Sequence, residues 1–416
     1  MRTQALSVIE ALRAGVPTRQ STRSLPDARK NVTDQIVADL AAAAGGNPPP
    51  GRIVWGEYGQ GKTHLLTTIE HAALDRGFAV SRVSLSRDVS LHNPFSLYGR
   101  LASILRVHDS AIPGLHTPLL RTGAHGLPGS PLKQPDRYGH PLPALLLEDF
   151  FYTADEDREL LYGGLVGARL APAELRRIHR TSRGEALPKF ERFRAASHAT
   201  AFFGVMADAI RYCGYKGWVI LLDELELLLW LGRASRLAAY MNLEWLLDWS
   251  GDRRYPIYFV AGAAKNMQSN VMISGSGRRI PDQTAIPELA AAKLDLVSQQ
   301  RLVRLFDRTL SPQCPIIGPI HSDALRGILG RIVELHGAAY DWPAHLDIPE
   351  IQARCANQPV RTMIRATVEA LDLRFLHGDP ALPELADLTE YSLEEAEDFF
   401  VDDREDDAEP PPGQDS

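Results

Sequence analysis

The chain has 416 residues, 44% hydrophobic and 23% charged, which excludes wholesale disorder and supplies material for two or three domains. Cys213, Cys314 and Cys355 stand far apart without metal-ligand spacing, so a disulfide framework is excluded and a cytoplasmic setting is expected. No apolar run approaches the roughly 18 residues of a membrane span, and the polar, amphipathic start from Met1 to Val16 is no signal-peptide core.

The formal charge of −7 hides an asymmetry: from Asp387 to Ser416 thirteen acids face one base, Arg404, which leaves +5 on the rest. The sequence therefore predicts a disordered acidic tail, residues 387–416, on a mildly basic body that permits DNA as a partner.

Residues 1–50 read as an N-terminal helical segment. Ala5 to Arg13 forms one helix; Asn31 to Ala44 forms another, with Val32, Ile36, Val37 and Leu40 on one face. The run from Gly45 to Pro50 breaks it and leads into a strand at Arg52 to Trp55. A second strand is expected at Phe78 to Leu85 and a helix at Leu97 to Val107. Residues 108–143 hold seven prolines and five glycines, so no long element is expected there; they open an insert, 108–210, whose remainder is charge-rich and helical. Trp218 to Leu222 and Pro256 to Gly262 read as buried strands. Beyond Leu294 the pattern is helical, with Leu302, Leu305 and Phe306, then Leu325, Ile328, Ile332 and Leu335, at helical spacing.

Gly56-Glu57-Tyr58-Gly59-Gln60-Gly61-Lys62-Thr63 matches the phosphate-binding pattern G-x-x-x-x-G-K-[ST] at every required position. Glycines let the backbone wrap an anion, the following helix, opening with Lys62, Thr63 and His64, adds its positive end, and Lys62 adds a full charge for the β- and γ-phosphates. Thr63 is placed to hold Mg²⁺. A buried strand ending in Asp223 and Glu224 is poorly explained by packing, because charge there costs desolvation unless paired. Asp223 is the expected metal partner, and Glu224 the residue that orients or deprotonates an attacking water. Glu226 is expected to be solvated or bridging.

The order of parts is that of additional-strand ATPases. The expected fold is a three-layer α/β P-loop (AAA+-like) domain with a parallel sheet over 51–290, then an all-helical lid over 291–386 and the tail. Gly56 to Leu66 (GEYGQGKTHLL), Phe78 to Asn93, Gly217 to Leu228 (GWVILLDELELL), Gly337 to Trp342 (GAAYDW) and Ile9 to Pro17 resemble the ATP-binding proteins of BREX-type phage-defence systems, the stand-alone BrxD-like subunits among them. The resemblance implies an ATPase of the origin-recognition-like branch, with ATP and Mg²⁺ as ligands, acting with other defence-system proteins and on DNA. In that branch a polar sensor ends the strand after the acidic pair. Here Tyr258 to Ala263 is apolar at that position and Asn266 is the nearest candidate, which implies slow or partner-dependent hydrolysis. A lid arginine reaching the γ-phosphate corresponds to Arg361, with Arg365 one turn on; a plain surface arginine is the alternative.

Between Arg176 and Arg194 there are seven basic residues against two acids, with Phe190 and Phe193 interleaved. Phosphate contact with base stacking, a solvated face and a subunit contact all fit this pattern. Arg278-Arg279 fits an arginine finger offered to a second copy in a homo-oligomer, a DNA contact, or a surface loop. No metal-binding histidine spacing and no Gly-x-Ser-x-Gly elbow occurs. A non-hydrolysing nucleotide-gated adaptor is the rival function.

Overall fold

The computed structural model describes residues 2–15, 18–46, 48–253, 255–274, 280–309, 311–355 and 358–378. Arg278-Arg279 and the acidic tail lie outside them. Two compact units form: residues 17–325, and residues 1–16 together with 326–416. This division separates the first helix from the rest of the 1–50 segment.

The larger unit opens with α2 (Arg19–Ser24) and α3 (Lys30–Ala43) and continues through β1 (Arg52–Gly56), α4 (Lys62–Asp75), β2 (Ala79–Ser84) and α5 (Pro94–Ser103). The insert folds as α6 (His116–Thr122), three single 3₁₀ turns, α7 (Leu142–Tyr152), α8 (Asp155–Leu165), α9 (Pro172–Arg183) and α10 (Ala195–Tyr212). Then come β3 (Trp218–Asp223), α11 (Arg233–Leu247), β4 (Ile257–Ala264), α12 (Asp282–Lys293), α13 (Leu296–Arg308) and β5 (Ile316–Ile317). The smaller unit holds α1 (Arg2–Arg13), most of α14 (Ser322–Tyr340), α15 (Ile348–Arg354) and α16 (Val360–His377).

The five strands form one parallel sheet in the order β2-β3-β4-β1-β5, so β4 separates the loop-bearing β1 from the acid-ended β3. Both faces are covered, which is why β3 and β4 read as continuous apolar runs. Val54, Val80, Val219, Leu221 and Val260 pack with α3 and α4 through Ile36, Leu40, Leu66 and Ile69. Ile53, Trp55, Ile220, Leu222 and Phe259 face the other way, into a core with Tyr98, Phe202, Phe203, Met206 and Tyr240. Parallel strands put all their C-terminal ends on one edge, where Gly56 pairs with Ala264 and Ser84 with Asp223.

Three elements differ from the sequence reading. The helix expected at Leu97 to Val107 starts at Pro94, with Asn93 capping it, and stops at Ser103; Arg106 instead bridges Val80 of β2. Pro at the first turn and an Asn cap are ordinary start signals that apolar spacing alone passes over. α2 is six polar residues held by the Thr18–Ser21 capping box, and β5 is two residues long. Neither is long enough to show a period.

In the smaller unit, Asp372 of α16 takes an ion pair from Arg13 of α1 at 2.7 Å and a hydrogen bond from His336 Nε2 of α14 at 3.0 Å. The Trp342 indole N–H donates to His336 Nδ1 at 2.9 Å, which fixes the proton on Nε2. A Cβ at Gly337 would lie 3.0 Å from the Trp342 carbonyl oxygen. The GAAYDW segment is thus a packing device, its glycine admitting the returning backbone.

Candidate nucleotide site

The loop between β1 and α4 curls because Gly59 and Gly61 take the left-handed conformation, φ 74° and 86°. A Cβ at Gly61 would meet nothing within 4 Å, so the backbone conformation and not space demands glycine there. Gly56 is different: a Cβ would fall 2.5 Å from Ile317 Cγ1, so β5 packs directly on the start of the loop. Glu57, Tyr58 and Gly59 are exposed along the rim.

Lys62 is buried, and its ammonium donates to the loop carbonyls of Gly56 (3.0 Å) and Glu57 (3.2 Å), with the Tyr58 ring 5.1 Å away. Among the described residues no carboxylate pairs with it. Thr63 stands half-buried at the start of α4. The Asp223 carboxylate, only 3% exposed, accepts the Glu224 backbone N–H at 3.1 Å. No cation among the described residues lies within ion-pair range of Asp223. A buried carboxylate without a cation is costly, and a divalent metal is a group that would relieve it.

Gly262 of β4 sits between the Asp223 carboxylate and the base of the Lys62 side chain. A Cβ there would be 3.2 Å from Asp223 Oδ1, 3.4 Å from Leu66 Cδ1 and 3.7 Å from Lys62 Cβ. In the sequence Gly262 marks only the end of an apolar strand. Its role lies in what it leaves open.

Glu224 is exposed and holds φ 61°, ψ 43°, a left-handed conformation that costs a non-glycine residue about 1–2 kcal/mol. This turns the chain sharply at the strand end and sets the two carboxylates apart. Partial desolvation, followed by the charges of Asp223 and Glu226, raises the Glu224 carboxyl above the ordinary glutamate value. Glu226 is buried rather than solvated: it accepts the Ala264 backbone N–H at 2.9 Å. The bridging half of the expectation holds, and Glu226 caps the end of β4 where a polar sensor was sought. Asn266 is exposed, two residues past the end of β4, at the start of the π-helical turn Met267–Ile273.

Two residues outside the motif join the site. Arg29, at the N-cap position of α3, is buried, donates to the Gln60 carbonyl at 2.9 Å, and has its Nε–H unpartnered among the described residues. Burial pulls its pKa down. His64 is held below the ordinary histidine value by burial, with Asp27 and Arg29 as its charged neighbours. The only sequence signal for Arg29 was a lone arginine before a helix, a pattern too common to single out.

Arg361 lies in the other unit, where its Nε donates to the Gly15 carbonyl at 3.0 Å; Arg365 packs against the same glycine. In the basic segment, Phe193 packs on Phe95, Phe202 and His140, and Phe190 meets His140 at 5.5 Å. Both rings are half-buried against these neighbours.

Residues 1–117 match the family described as BREX system ATP-binding protein BrxC/D. The match takes in β1, the glycine loop, α4 and β2 and stops before the acid-ended strand. No curated protein matches the chain. Among the described residues no helix is long and apolar enough to cross a membrane.

Proposed function

We propose that this chain is an Mg²⁺-dependent ATP-binding and ATP-hydrolysing subunit of a BREX-type phage-defence system, a cytoplasmic protein working with other defence proteins on DNA. The observation that carries the reading is the meeting of Lys62 and the unpaired, buried Asp223 across Gly262, at the strand edge where the glycine loop opens. Ligands of open parallel sheets bind at that edge. The additional strand between β1 and β3 and the family match over 1–117 support the same reading.

In this reading the loop N–H groups and Lys62 hold the phosphates; Thr63 and Asp223 would hold a divalent metal, which would supply neutralisation of phosphate charge. Arg29 braces the loop through the Gln60 carbonyl. Glu224, with its raised pKa, takes up or orients the proton of the attacking water. Lys62→Ala should abolish tight ATP binding, because it removes the loop's only full positive charge; unchanged affinity would sink the assignment.

The adaptor reading draws on one feature: Glu226 and the backbone of Ala264 occupy the end of β4 in place of a neutral polar side chain. Turnover measured with and without DNA separates the two. A steady rate above that of Glu224→Gln supports hydrolysis; none under either condition supports the adaptor.

A further inference from the structure

Helix α9 is amphipathic, with Leu175, Ile178 and His179 buried beneath it. Its four arginines fall into two classes. Arg177 makes a two-pronged ion pair with Asp157 of α8, at 3.0 and 2.5 Å. Arg183 pairs with Glu148 of α7 and lies 4.4 Å over the Tyr152 ring. These two fasten the helix to the insert, and His179 adds a buried hydrogen bond of 2.8 Å to Asp149 of α7. Arg176 and Arg180 are exposed, lie one turn (about 6 Å) apart on the outer face, and their side chains bond to nothing among the described residues. Arg169 precedes them, and Lys189, Arg192 and Arg194 follow, all exposed and without side-chain partners among the described residues.

Between Arg169 and Arg194 no large apolar side chain is exposed. A protein–protein contact would offer apolar or aromatic residues at its centre, and a single-strand groove would offer rings for stacking. On this surface the exposed cations Arg169, Arg176, Arg180, Lys189, Arg192 and Arg194 outnumber the exposed Glu174, Glu185 and Glu191, and Arg176 and Arg180 are carried on a braced helix.

We propose that α9, through Arg176 and Arg180 with the flanking cations, binds the phosphate backbone of duplex DNA without reading its sequence. The inference rests on the reading of DNA as this protein's substrate and names the surface and the form of nucleic acid. Phosphates laid along a duplex present closely spaced fixed charges, which suits rigidly held cations one turn apart.

The test is fluorescence anisotropy of the full-length chain on labelled duplexes of unrelated sequence and on the matching single strand, across a salt series. Wild type should prefer the duplex. The double variant Arg176→Gln/Arg180→Gln should weaken binding equally on every duplex and lower the slope of log affinity against log salt by about 1.8, or 0.9 for each lost contact. Its ATP affinity and melting temperature should match wild type, since neither side chain bonds to protein. Arg177→Ala should lower the melting temperature without that change in slope. Duplex binding with an unchanged slope in the double variant overturns the proposal while leaving DNA as substrate; so does preference for the single strand. Wild type that binds no DNA at low salt overturns both.

Discussion

The Arg29 guanidinium donates to the Gln60 carbonyl at 2.9 Å, so a residue from outside the phosphate-binding motif holds the loop's shape from behind. Its unpartnered Nε–H and lowered pKa show a cation kept from water at some cost. Such a cost fits a residue retained for the loop rather than for stability. Arg29→Met keeps the volume and removes the buried charge. It should leave the melting temperature within a few degrees of wild type and weaken ATP binding about tenfold, read by nucleotide titration and thermal denaturation. A variant that melts far lower with intact affinity would make Arg29 a structural residue only.

Glu224 offers a way to part chemistry from strain. Glu224→Gln should keep ATP and stop turnover. Glu224→Gly should stop turnover equally without lowering the melting temperature, because relief of the left-handed conformation (about 1–2 kcal/mol) offsets the entropy glycine adds to the unfolded chain. Glu224→Ala keeps the strain and should melt below the glycine variant.

The raised Glu224 pKa carries over to the rate. The residue must be ionised to accept a proton, so the acid limb of the kcat profile should lie above the ordinary 4.5 of a free glutamate. Turnover should fall as pH drops through that raised value. Glu226→Gln removes one of the charges responsible and should move the limb downward; an unmoved limb would assign it to another group.

Gly262→Ala should act on metal dependence more than on folding. Its Cβ presses on Asp223 Oδ1 and the Leu66 methyl, and the carboxylate is the easier of the two to shift. The concentration of Mg²⁺ giving half-maximal turnover should rise several-fold with little loss of stability. Gly262→Val, which adds bulk between Asp223 and Lys62, should also weaken ATP binding.

The smaller unit should be acid-sensitive through Asp372. Burial alone would raise this carboxyl, but the Arg13 and His336 hydrogen bonds overcome it and hold its pKa below 3.8. The unfolded chain therefore binds the proton more readily, and the stabilisation is present above pH 3.8 and lost as pH falls through the lower folded value. Asp372→Asn should lower melting at neutral pH by about 1 kcal/mol, a figure discounted for partial exposure, and should converge with wild type in strong acid.

The glycine loop between β1 and α4, the acid-ended strand, the central strands and the long helices were legible in the residues alone. Each is a local pattern: glycines at fixed spacing, apolar runs bounded by turn residues, or a repeat of three to four. Other features were decided only by the assembled sheet. Arg29 and Gln60 are 31 positions apart, Glu226 and Ala264 are 38 apart, and Gly262 matters because β4 inserts between β1 and β3. No spacing within a segment records which strand becomes the neighbour. The same holds for α9, where composition showed an even run of positive charge. The packed insert divided it into arginines that brace the helix and arginines that face solvent, because Asp157 and Glu148 come from helices that only folding brings alongside.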